Sequence, residues 1–231
     1  MPRLVAAFMR HGAYCQPADV PSAHLPHPLS PKGTRQAEAG AREVVDWATA
    51  AGLAVHTEID ASALLRAWQT AEICAAKMTA AGQPPFTVRP YTKLAERSLG
   101  SAANLTMDEI AAVIAADPRW APLPPGWKRD SRFRLPLPGA ESLIQSGRRV
   151  ARHVTRRMRE LEGAVRRDTV KLFVGHGGAF RHAACALGIL QLDQAAGLSM
   201  HHCRPIFFEW EATTRWLHVG GEWKQRPSLK D

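Results

Sequence analysis

Apolar residues occur along this chain in blocks that alternate between the spacing of strands and the spacing of helices. Short apolar runs, typical of buried strands, lie at residues 4–9 and 170–174, and two further strands are expected at residues 54–59 and 86–91. Longer segments typical of helices lie at residues 32–51, 65–81 and 141–165. Because strands that alternate with helices form parallel sheets, the pattern predicts an α/β fold built on a parallel sheet.

Capping residues indicate where several helices begin and end. Ser30 followed by Pro31 begins the first helix, and Gly52 closes it. Thr106 and Glu109 form a capping box, which begins a short helix. The other expected elements are a helix at 179–187 and strands at 205–210 and 215–219 with a turn between them.

Two stretches have no regular period. Residues 13–28 are rich in proline and histidine and are long for a connection inside a compact domain, which favours a functional loop. Residues 117–139 hold prolines, basic residues and two tryptophans, Trp120 and Trp127. Since periodic elements resume directly afterwards, we interpret 117–139 as an irregular insertion and residues 1–231 as one domain.

The composition is that of a globular protein. Its 231 residues, 45% of them hydrophobic, can bury a full core. No apolar run approaches the roughly 20 residues that cross a bilayer, and the first run is too short for a signal peptide. The four cysteines have neither metal-binding nor disulfide spacing, so we expect reduced thiols in a soluble, cytoplasmic protein. The net charge of +9 suits nucleic acid, acidic membranes and phosphorylated molecules alike.

Two predicted strands end in the same manner, with a histidine beside glycine. The first runs into Arg10-His11-Gly12, and the last buried strand runs into Gly175-His176-Gly177-Gly178. Because parallel strands end at one edge of a sheet, where open α/β sheets bind ligands, we expect His11 and His176 to meet there. Arg66, near the start of the second helix, would face the same edge.

These groups together suit a phosphoryl group. Glycines after His176 let the backbone approach a ligand, and the helix that follows directs its N–H groups and positive dipole end at an anion. The guanidinium groups of Arg10 and Arg66 can form paired hydrogen bonds with phosphoryl oxygens.

Further motifs follow in a recognisable order. The full set is Arg10-His11-Gly12, Leu29-Ser30-Pro31-Lys32-Gly33 with Gln36-Ala37, residues 62–71, Leu94-Ala95-Glu96-Arg97 with Gly100, Pro138-Gly139-Ala140-Glu141-Ser142-Leu143, and residues 174–178 with Arg181. In this order they resemble the histidine phosphatase superfamily, also called phosphoglycerate mutase-like proteins. The resemblance covers most of the chain and implies a three-layer α/β/α fold with a mostly parallel central sheet.

The resemblance implies a role for each residue at the sheet edge. His11 would be the nucleophile that forms a phosphohistidine. Arg10, Arg66 and His176 would hold the phosphoryl oxygens, with the backbone of Gly177 against them. This chemistry needs neither a metal ion nor a cofactor, and we expect none.

Glu96 would be the general acid that protonates the leaving oxygen and later helps to activate water. For that role the carboxyl group should be partly removed from water. Without the resemblance, a surface ion pair with Arg97 is the simpler interpretation of Glu96.

The chain departs from the mutases of this family just after its first motif. Ala13-Tyr14-Cys15-Gln16 stands where those enzymes carry a Glu-Ser pair. We therefore predict a metal-independent phosphatase acting on a small phosphorylated metabolite, with Trp120, Trp127 and nearby basic residues available to cover the site. The alternatives are a phosphoglycerate mutase-type phosphotransferase, a protein phosphohistidine phosphatase and a non-catalytic phospho-ligand-binding protein.

The remaining features favour structural interpretations. Adjacent residues rarely bind one metal ion, so His201-His202-Cys203 is interpreted as a loop or core segment. Arginines of the 141–165 helix are expected on its solvated face, which argues against specific nucleic-acid binding. Phe207, Trp210 and Trp216 either form a homodimer edge or belong to the core, and the core is the simpler interpretation. No contact with a membrane is expected.

Overall fold

A computed structural model of the chain describes residues 2–211 and 215–226. Its strands are β1 (Leu4–Arg10), β2 (Ala54–Val55), β3 (Glu58–Ser62), β4 (Thr87–Tyr91), β5 (Thr169–Gly175), β6 (Leu198–Ser199), β7 (Ile206–Glu211), β8 (Arg215–Gly220) and β9 (Lys224–Gln225). Its helices are α1 (Pro31–Ala50), α2 (Leu65–Ala80), α3 (Met107–Ala116), α4 (Leu143–Ala164), α5 (Gly177–Ala186) and α6 (Leu192–Gly197). The turn predicted between β7 and β8 falls at 212–214, outside the described residues.

The main sheet is mixed but mostly parallel. Its strands follow the order β4-β3-β5-β1-β7-β8, and β2 pairs with β5 beside this path. Strands β4, β3, β5 and β1 run parallel, whereas β7 and β8 run antiparallel to their neighbours. The parallel sheet predicted from the alternation is therefore correct for the part of the sheet that carries the two histidine motifs.

Both faces of the sheet are buried at its central strands β1 and β5. Side chains alternate along β1, so that Val5, Ala7 and Met9 pack with helices α1 and α2 on one face. Leu4, Ala6 and Phe8 pack with α4 and α5 on the other face. This gives the three layers that the family resemblance implied. Phe207 lies in the first core, and Trp210 and Trp216 lie in the second, as the simpler interpretation of these residues predicted.

Local signals set the helix starts as predicted. The Ser30 side chain accepts a hydrogen bond from the backbone N of Gly33 at the start of α1. The capping box of Thr106 and Glu109 is present at α3, and Ser142 forms a second one at α4. Short polar side chains at these positions satisfy backbone N–H groups that a helix start leaves unpaired.

The strand predicted at 54–59 is wrong in its extent, because the chain forms two strands there. β2 pairs Val55 with Val170, and β3 resumes by pairing Asp60 with Phe173, so the outer chain bulges by extra residues between these pairs. The bulge brings the carbonyl of Glu58 to 2.9 Å from Nζ of Lys171, a buried lysine in the middle of β5. A buried ammonium group requires such partners.

Two arginines of α4 correct the prediction of a uniformly solvated face. Arg157 donates from Nε to the Asp60 carboxylate at 2.9 Å and also pairs with Glu58. Arg149 forms a two-bond ion pair with Glu141, with distances of 2.7 and 2.8 Å. Both arginines bind α4 to the sheet edge and its loops.

Residues 117–139 contain no helix or strand, as predicted, but they are packed. Trp127 is buried in a third apolar cluster. Its other buried members are Ala23, Leu99, Ala102, Ile110, Leu135 and Ala140. The insertion therefore packs into a small core that it shares with the loop at 13–28, with residues 99–102 and with helix α3. Within the described ranges, no helix is long and apolar enough to cross a membrane.

Candidate active site

Three parallel strands deliver side chains to one edge of the sheet. His11 follows β1, His176 follows β5, and Ser62 ends β3. The backbone N of His11 donates to the carbonyl of Gly175 at 2.9 Å, which continues the β1–β5 ladder to its last residue. As a result, the ring centroids of His11 and His176 lie 5.0 Å apart, as the two strand ends predicted.

The hydrogen bonds of His11 fix its protonation state. Nδ1 lies 2.7 Å from the carbonyl oxygen of Gly12, which can only accept, so Nδ1 carries the proton. Nε of Arg66 lies 3.2 Å from Nε2 and can only donate, so Nε2 presents a lone pair. Burial, followed by the charges of Arg66 and Arg10, holds the pKa of His11 well below 6.5. His11 is therefore a neutral imidazole with a nucleophilic nitrogen at the sheet edge.

His176 is held in the opposite tautomer. Its Nδ1 lies 3.2 Å from a terminal nitrogen of Arg66, so it accepts, and its Nε2 then donates to the hydroxyl of Ser62 at 2.8 Å. Burial and the charge of Arg66 also hold the pKa of His176 well below 6.5. The imidazole is thus neutral, and its N–H is directed by a hydroxyl group that the sequence motif did not single out.

Arg66 is fully buried in the first turn of α2 and contacts both histidines. Two more of its five N–H groups donate to the carbonyls of Ala23 at 2.7 Å and Leu25 at 2.9 Å. The ring of Tyr14 stacks against it, with the guanidinium carbon 4.6 Å from the ring centroid. The long loop at 13–28 therefore supports the site by fixing this guanidinium group.

Gly12 allows the turn after β1 to lie directly against α1. A Cβ atom at Gly12 would lie 2.5 Å from the carbonyl oxygen of Gly33, so no other residue fits without a backbone shift. The Gly12 backbone N donates to Oγ1 of Thr70 at 3.1 Å, and the next N–H, of Ala13, donates to the Gln36 side chain at 2.8 Å. These bonds hold the turn that carries His11.

Glu96 lies at the mouth of the same cavity and is half-buried. Its carboxylate accepts from the backbone N of Gly178 at 3.1 Å and of Arg97 at 2.9 Å. The guanidinium group of Arg97 instead lies over the ring of Trp127, at 5.9 Å from the centroid. The Glu96 carboxylate is therefore directed at the start of α5. It does not form the surface ion pair with Arg97 that the simpler interpretation expected.

Arg10 and Gly177 line the cavity together. Arg10 donates from one terminal nitrogen to the carbonyl of Met200 at 3.0 Å, and burial lowers the pKa of its guanidinium group. A Cβ atom at Gly177 would lie 3.1 Å from Cδ of Arg10, so the glycine leaves room for this side chain at the helix start. The cavity has a volume of about 750 Å³.

All six residues predicted for the site lie at this edge, but other residues there were missed. Ser62 and Thr70 lie inside the second motif, and only their contacts give them a function. His24 contacts the carbonyl of Glu96 at 2.9 Å from a loop without periodic signal. The ring of His202 lies 5.8 Å from that of His11, because its backbone bridges to Arg10.

The tryptophans of the insertion do not cover the cavity as expected. Trp127 is packed in the third apolar cluster, and Trp120 is 41% exposed beside Asp117 and Arg119. The basic residues Lys128 and Arg129 line the cavity instead. The apolar rings are more stable in a core than at a charged cavity wall, which explains this division.

A sheet edge with two neutral histidines, two partly or fully buried arginines and a helix amino terminus defines a class of proteins that bind and transfer phosphoryl groups. The sequence model of the histidine phosphatase superfamily (branch 1) matches residues 6–220, and the chain belongs to this superfamily. The family predicted from the motifs is thereby confirmed. So is the predicted class of enzyme, a phosphoric monoester hydrolase.

Solved structures show the same fold. A protein named mycobacterial hydrolase 2 has a TM-score of 0.71 at 22% identity, over 99% of this chain and 94% of its own. A mycobacterial glucosyl-3-phosphoglycerate phosphatase in complex with inorganic phosphate has a TM-score of 0.66 at 25% identity, over 95% and 96%. The alpha-ribazole phosphatase from Shigella flexneri has a TM-score of 0.67 at 16% identity, over 93% and 94%. No curated protein sequence matches the chain.

Proposed function

We propose that this protein hydrolyses a small phosphorylated metabolite through a phosphohistidine on His11, without a metal ion. The observation that carries the proposal is the state of His11, a buried neutral imidazole whose Nε2 lone pair faces the Arg66 guanidinium group. Two structural neighbours are named as phosphatases of glucosyl-3-phosphoglycerate and of alpha-ribazole compounds, and both names describe small molecules. This supports a small substrate for the present chain.

In the first step, Nε2 of His11 attacks the phosphorus atom and forms an N–P bond while the bond from phosphorus to the leaving oxygen breaks. Glu96, in its protonated form, gives its proton to that oxygen, and the alcohol departs. Arg10 and Arg66 hold the phosphoryl oxygens, whose charge they stabilise during transfer. To reach these oxygens, Arg66 and His176 exchange part of their present hydrogen bonds for bonds to the substrate.

In the second step, the Glu96 carboxylate takes a proton from a water molecule as its oxygen attacks phosphorus. The N–P bond breaks, inorganic phosphate leaves, and His11 regains the Nε2 lone pair. Glu96 is then protonated again and ready for the next substrate molecule. Each group thus ends the cycle as it began it.

The test is hydrolysis of p-nitrophenyl phosphate in buffer containing EDTA. We expect turnover by the parent protein and a loss on the order of 10³-fold or more in His11→Ala, because the nucleophile is removed. His218→Ala is the matched control, since His218 is exposed on β8, away from the site. Equal rates in the parent and His11→Ala would reject the proposal.

Intact mass after rapid acid-free quenching provides a second readout. The parent should gain one phosphoryl group that is stable in base and labile in acid, and His11→Ala should not. Release of one inorganic phosphate per alcohol supports hydrolysis. Transfer of the phosphoryl group to a second hydroxyl of a phosphoglycerate would instead indicate a mutase.

A further inference from the structure

The cavity beyond the two histidines carries more positive charge than one phosphoryl group requires. Among the described residues that line it, Glu96 is the single carboxylate. The lining cations are Arg10, Arg97, Lys128, Arg129, Arg181 and Arg226. At about 750 Å³, the cavity also has the size of a complete ligand site, much larger than one phosphate.

Three of these cations lie outside the six motifs and outside the groups that the proposed reaction uses. Lys128 and Arg129 belong to the irregular insertion at 117–139, and Arg226 follows β9 near the end of the described chain. The fold brings these separate segments to one wall of the cavity. We call Lys128, Arg129 and Arg226 the outer basic cluster.

The insertion fixes the backbone that carries its two cations, whose side chains are exposed. Trp127, directly before them, is 6% exposed and packed in the third apolar cluster. The turn is closed by a hydrogen bond from the Arg129 N to the Gly126 carbonyl at 2.8 Å, and Gly126 takes a positive φ of 71° there. This part of the backbone is therefore already ordered when a ligand binds, which lowers the entropy cost of binding.

Arg226 is held from the other side. Its backbone N donates to the carbonyl of Gly197 at 2.8 Å, next to the small β6–β9 sheet. Its side chain is half-buried at the cavity wall. The backbone that carries the cluster is therefore anchored at two independent places, one in the insertion and one at this small sheet.

The members of the outer basic cluster disfavour one another's charge. Partial burial, followed by the nearby charges of Arg97 and Arg129, lowers the pKa of Lys128. Partial burial, followed by the charge of Arg129, lowers the pKa of Arg226. Among residues 2–211 and 215–226, no carboxylate forms an ion pair with any of the three. Binding of an anion would relieve this repulsion.

We infer that the outer basic cluster binds a second anionic group of the substrate, a carboxylate or a second phosphate, while the sheet edge holds the phosphoryl group that is transferred. The inference rests on the proposed function and adds the substrate class, a phosphomonoester with a second negative charge. A neutral sugar or alcohol phosphate would leave the three cations unpaired. Such a substrate would therefore be selected against.

The experiment compares matched pairs of substrates. 3-Phosphoglycerate and glycerol 3-phosphate have the same length and differ in a carboxylate, and fructose 1,6-bisphosphate and fructose 6-phosphate differ in a phosphate. We expect kcat/KM to be about 10-fold or more higher for the anionic member of at least one pair, which is the value of one or two charge-assisted hydrogen bonds. The pair that shows the preference identifies the second anion as carboxylate or phosphate.

We call the kcat/KM of the anionic substrate divided by that of its neutral partner the preference ratio. The double variant Lys128→Ala/Arg129→Ala should bring this ratio close to one, mainly by raising KM for the anionic substrate. Arg226→Ala should also lower the ratio. High salt should also lower the ratio in the parent. Arg167→Ala is the matched control, because Arg167 is exposed before β5, at the opposite edge of the sheet. It removes one positive charge and should leave the ratio unchanged.

The outcomes separate the two proposals. Suppose that the parent hydrolyses p-nitrophenyl phosphate but has the same kcat/KM for both members of each substrate pair, or that the double variant keeps the parent's preference. Either result would show that the outer basic cluster is not an anion site, and the proposed function would stand. If the parent hydrolyses no phosphomonoester, the proposed function is wrong. Calorimetry on His11→Ala then tests the outer basic cluster without turnover. 3-Phosphoglycerate should bind at least about 10-fold more tightly than glycerol 3-phosphate. Equal affinities, or no binding of either compound, would reject the anion site.

Discussion

Nε of Arg66 donates a hydrogen bond to Nε2 of His11 over 3.2 Å. The same guanidinium group reaches Nδ1 of His176 and the carbonyls of Ala23 and Leu25. One buried cation therefore links both histidines with the loop at 13–28. Because the planar group has five fixed N–H donors, it can hold this framework and still turn part of the fork toward a phosphoryl oxygen.

Arg66→Lys should keep the positive charge but lose the fork. We expect kcat for p-nitrophenyl phosphate to fall about 10²- to 10³-fold, the usual effect of removing one donor to a transition-state oxyanion. The melting temperature should also fall, since the carbonyls of Ala23 and Leu25 lose their partners. Arg42→Lys, an exposed change on α1, should alter neither quantity. Normal activity in Arg66→Lys would show that charge alone is sufficient.

The loss of activity in Glu96→Gln should depend on the leaving group of the substrate. The amide cannot donate the proton that an alkoxide needs, so glycerol 3-phosphate hydrolysis should fall about 10²- to 10⁴-fold. p-Nitrophenolate leaves without a proton, so the first step with its phosphate should fall much less. Burst kinetics separate the two steps. Equal losses for both substrates would contradict a general-acid role, and the exposed Glu72→Gln on α2 is the control.

Gly178→Ala tests the placement of Glu96 through its neighbour. A Cβ atom there would lie 2.8 Å from Oε1 and 3.1 Å from Oε2 of Glu96, so the flexible carboxylate must move. In a helix, alanine is more favourable than glycine by about 1 kcal/mol, so the melting temperature should not fall. Hydrolysis of alkyl phosphates should fall about 10-fold, because the general acid is displaced. Gly163→Ala in α4 meets open space and should cost no activity. Loss of folding in Gly178→Ala would assign the effect to packing.

The two histidines of the site, His11 and His176, make stability depend on pH. The pKa values of His11 and His176 are held well below 6.5, chiefly by burial and then by Arg66, whereas in the unfolded chain they return to about 6.5. Below that pH the unfolded state binds more protons, so the free energy of unfolding should fall as pH falls from 6.5 toward the folded-state values. The limiting slope is about 1.4 kcal/mol per pH unit for each histidine. His11→Asn should flatten the slope between pH 6.5 and 5 in urea unfolding, and an unchanged slope would show that His11 is protonated in the folded state.

The buried carboxylate of Asp60 gives a stability prediction away from the site. Burial alone would raise the pKa of Asp60. A hydrogen bond from His153 and the charges and hydrogen bonds of Lys171 and Arg157 outweigh this effect and lower the pKa to about 2. Asp60→Asn removes the carboxylate that lies 2.8 Å from the buried Lys171 ammonium group and leaves it the more distant carboxylate of Glu58 at 3.5 Å, so we expect the free energy of unfolding to fall by about 3 kcal/mol. Adding Lys171→Met should restore part of that loss in urea unfolding. Asp46→Asn, exposed on α1, is the control.

Local sequence was sufficient where short-range physics decides the structure. A side chain at Ser30, Thr106 or Ser142 caps the helix that follows it because the bonded N–H group lies only three residues away. The helix predicted at 141–165 is present as α4 for the same reason, since helical spacing alone brings its apolar residues to one face. The order of the six motifs likewise identified the family and the strand ends that meet.

Longer-range contacts decided what the sequence could not. The split between β2 and β3 depends on Lys171, whose partners come from another strand. In the sequence, nothing distinguishes Arg157 from the solvated arginines of α4. Its side chain points toward the sheet because Asp60 lies there and accepts its hydrogen bond. His24 had no signal, because its loop has no period. His202 was noticed with its neighbours and interpreted as a loop or core residue, and only the tertiary structure brings its ring to 5.8 Å from that of His11.

The sequence by itself determined the α/β alternation, the helix caps and the histidine and arginine motifs, because each depends on residues within a few positions of one another. Tertiary structure alone decided the tautomers of His11 and His176, the burial of Arg66 and the meeting of Arg226 with Lys128 and Arg129. Protonation states and charge clusters depend on distances between segments far apart in the chain. Those distances exist only after the sheet has brought its strands to a common edge.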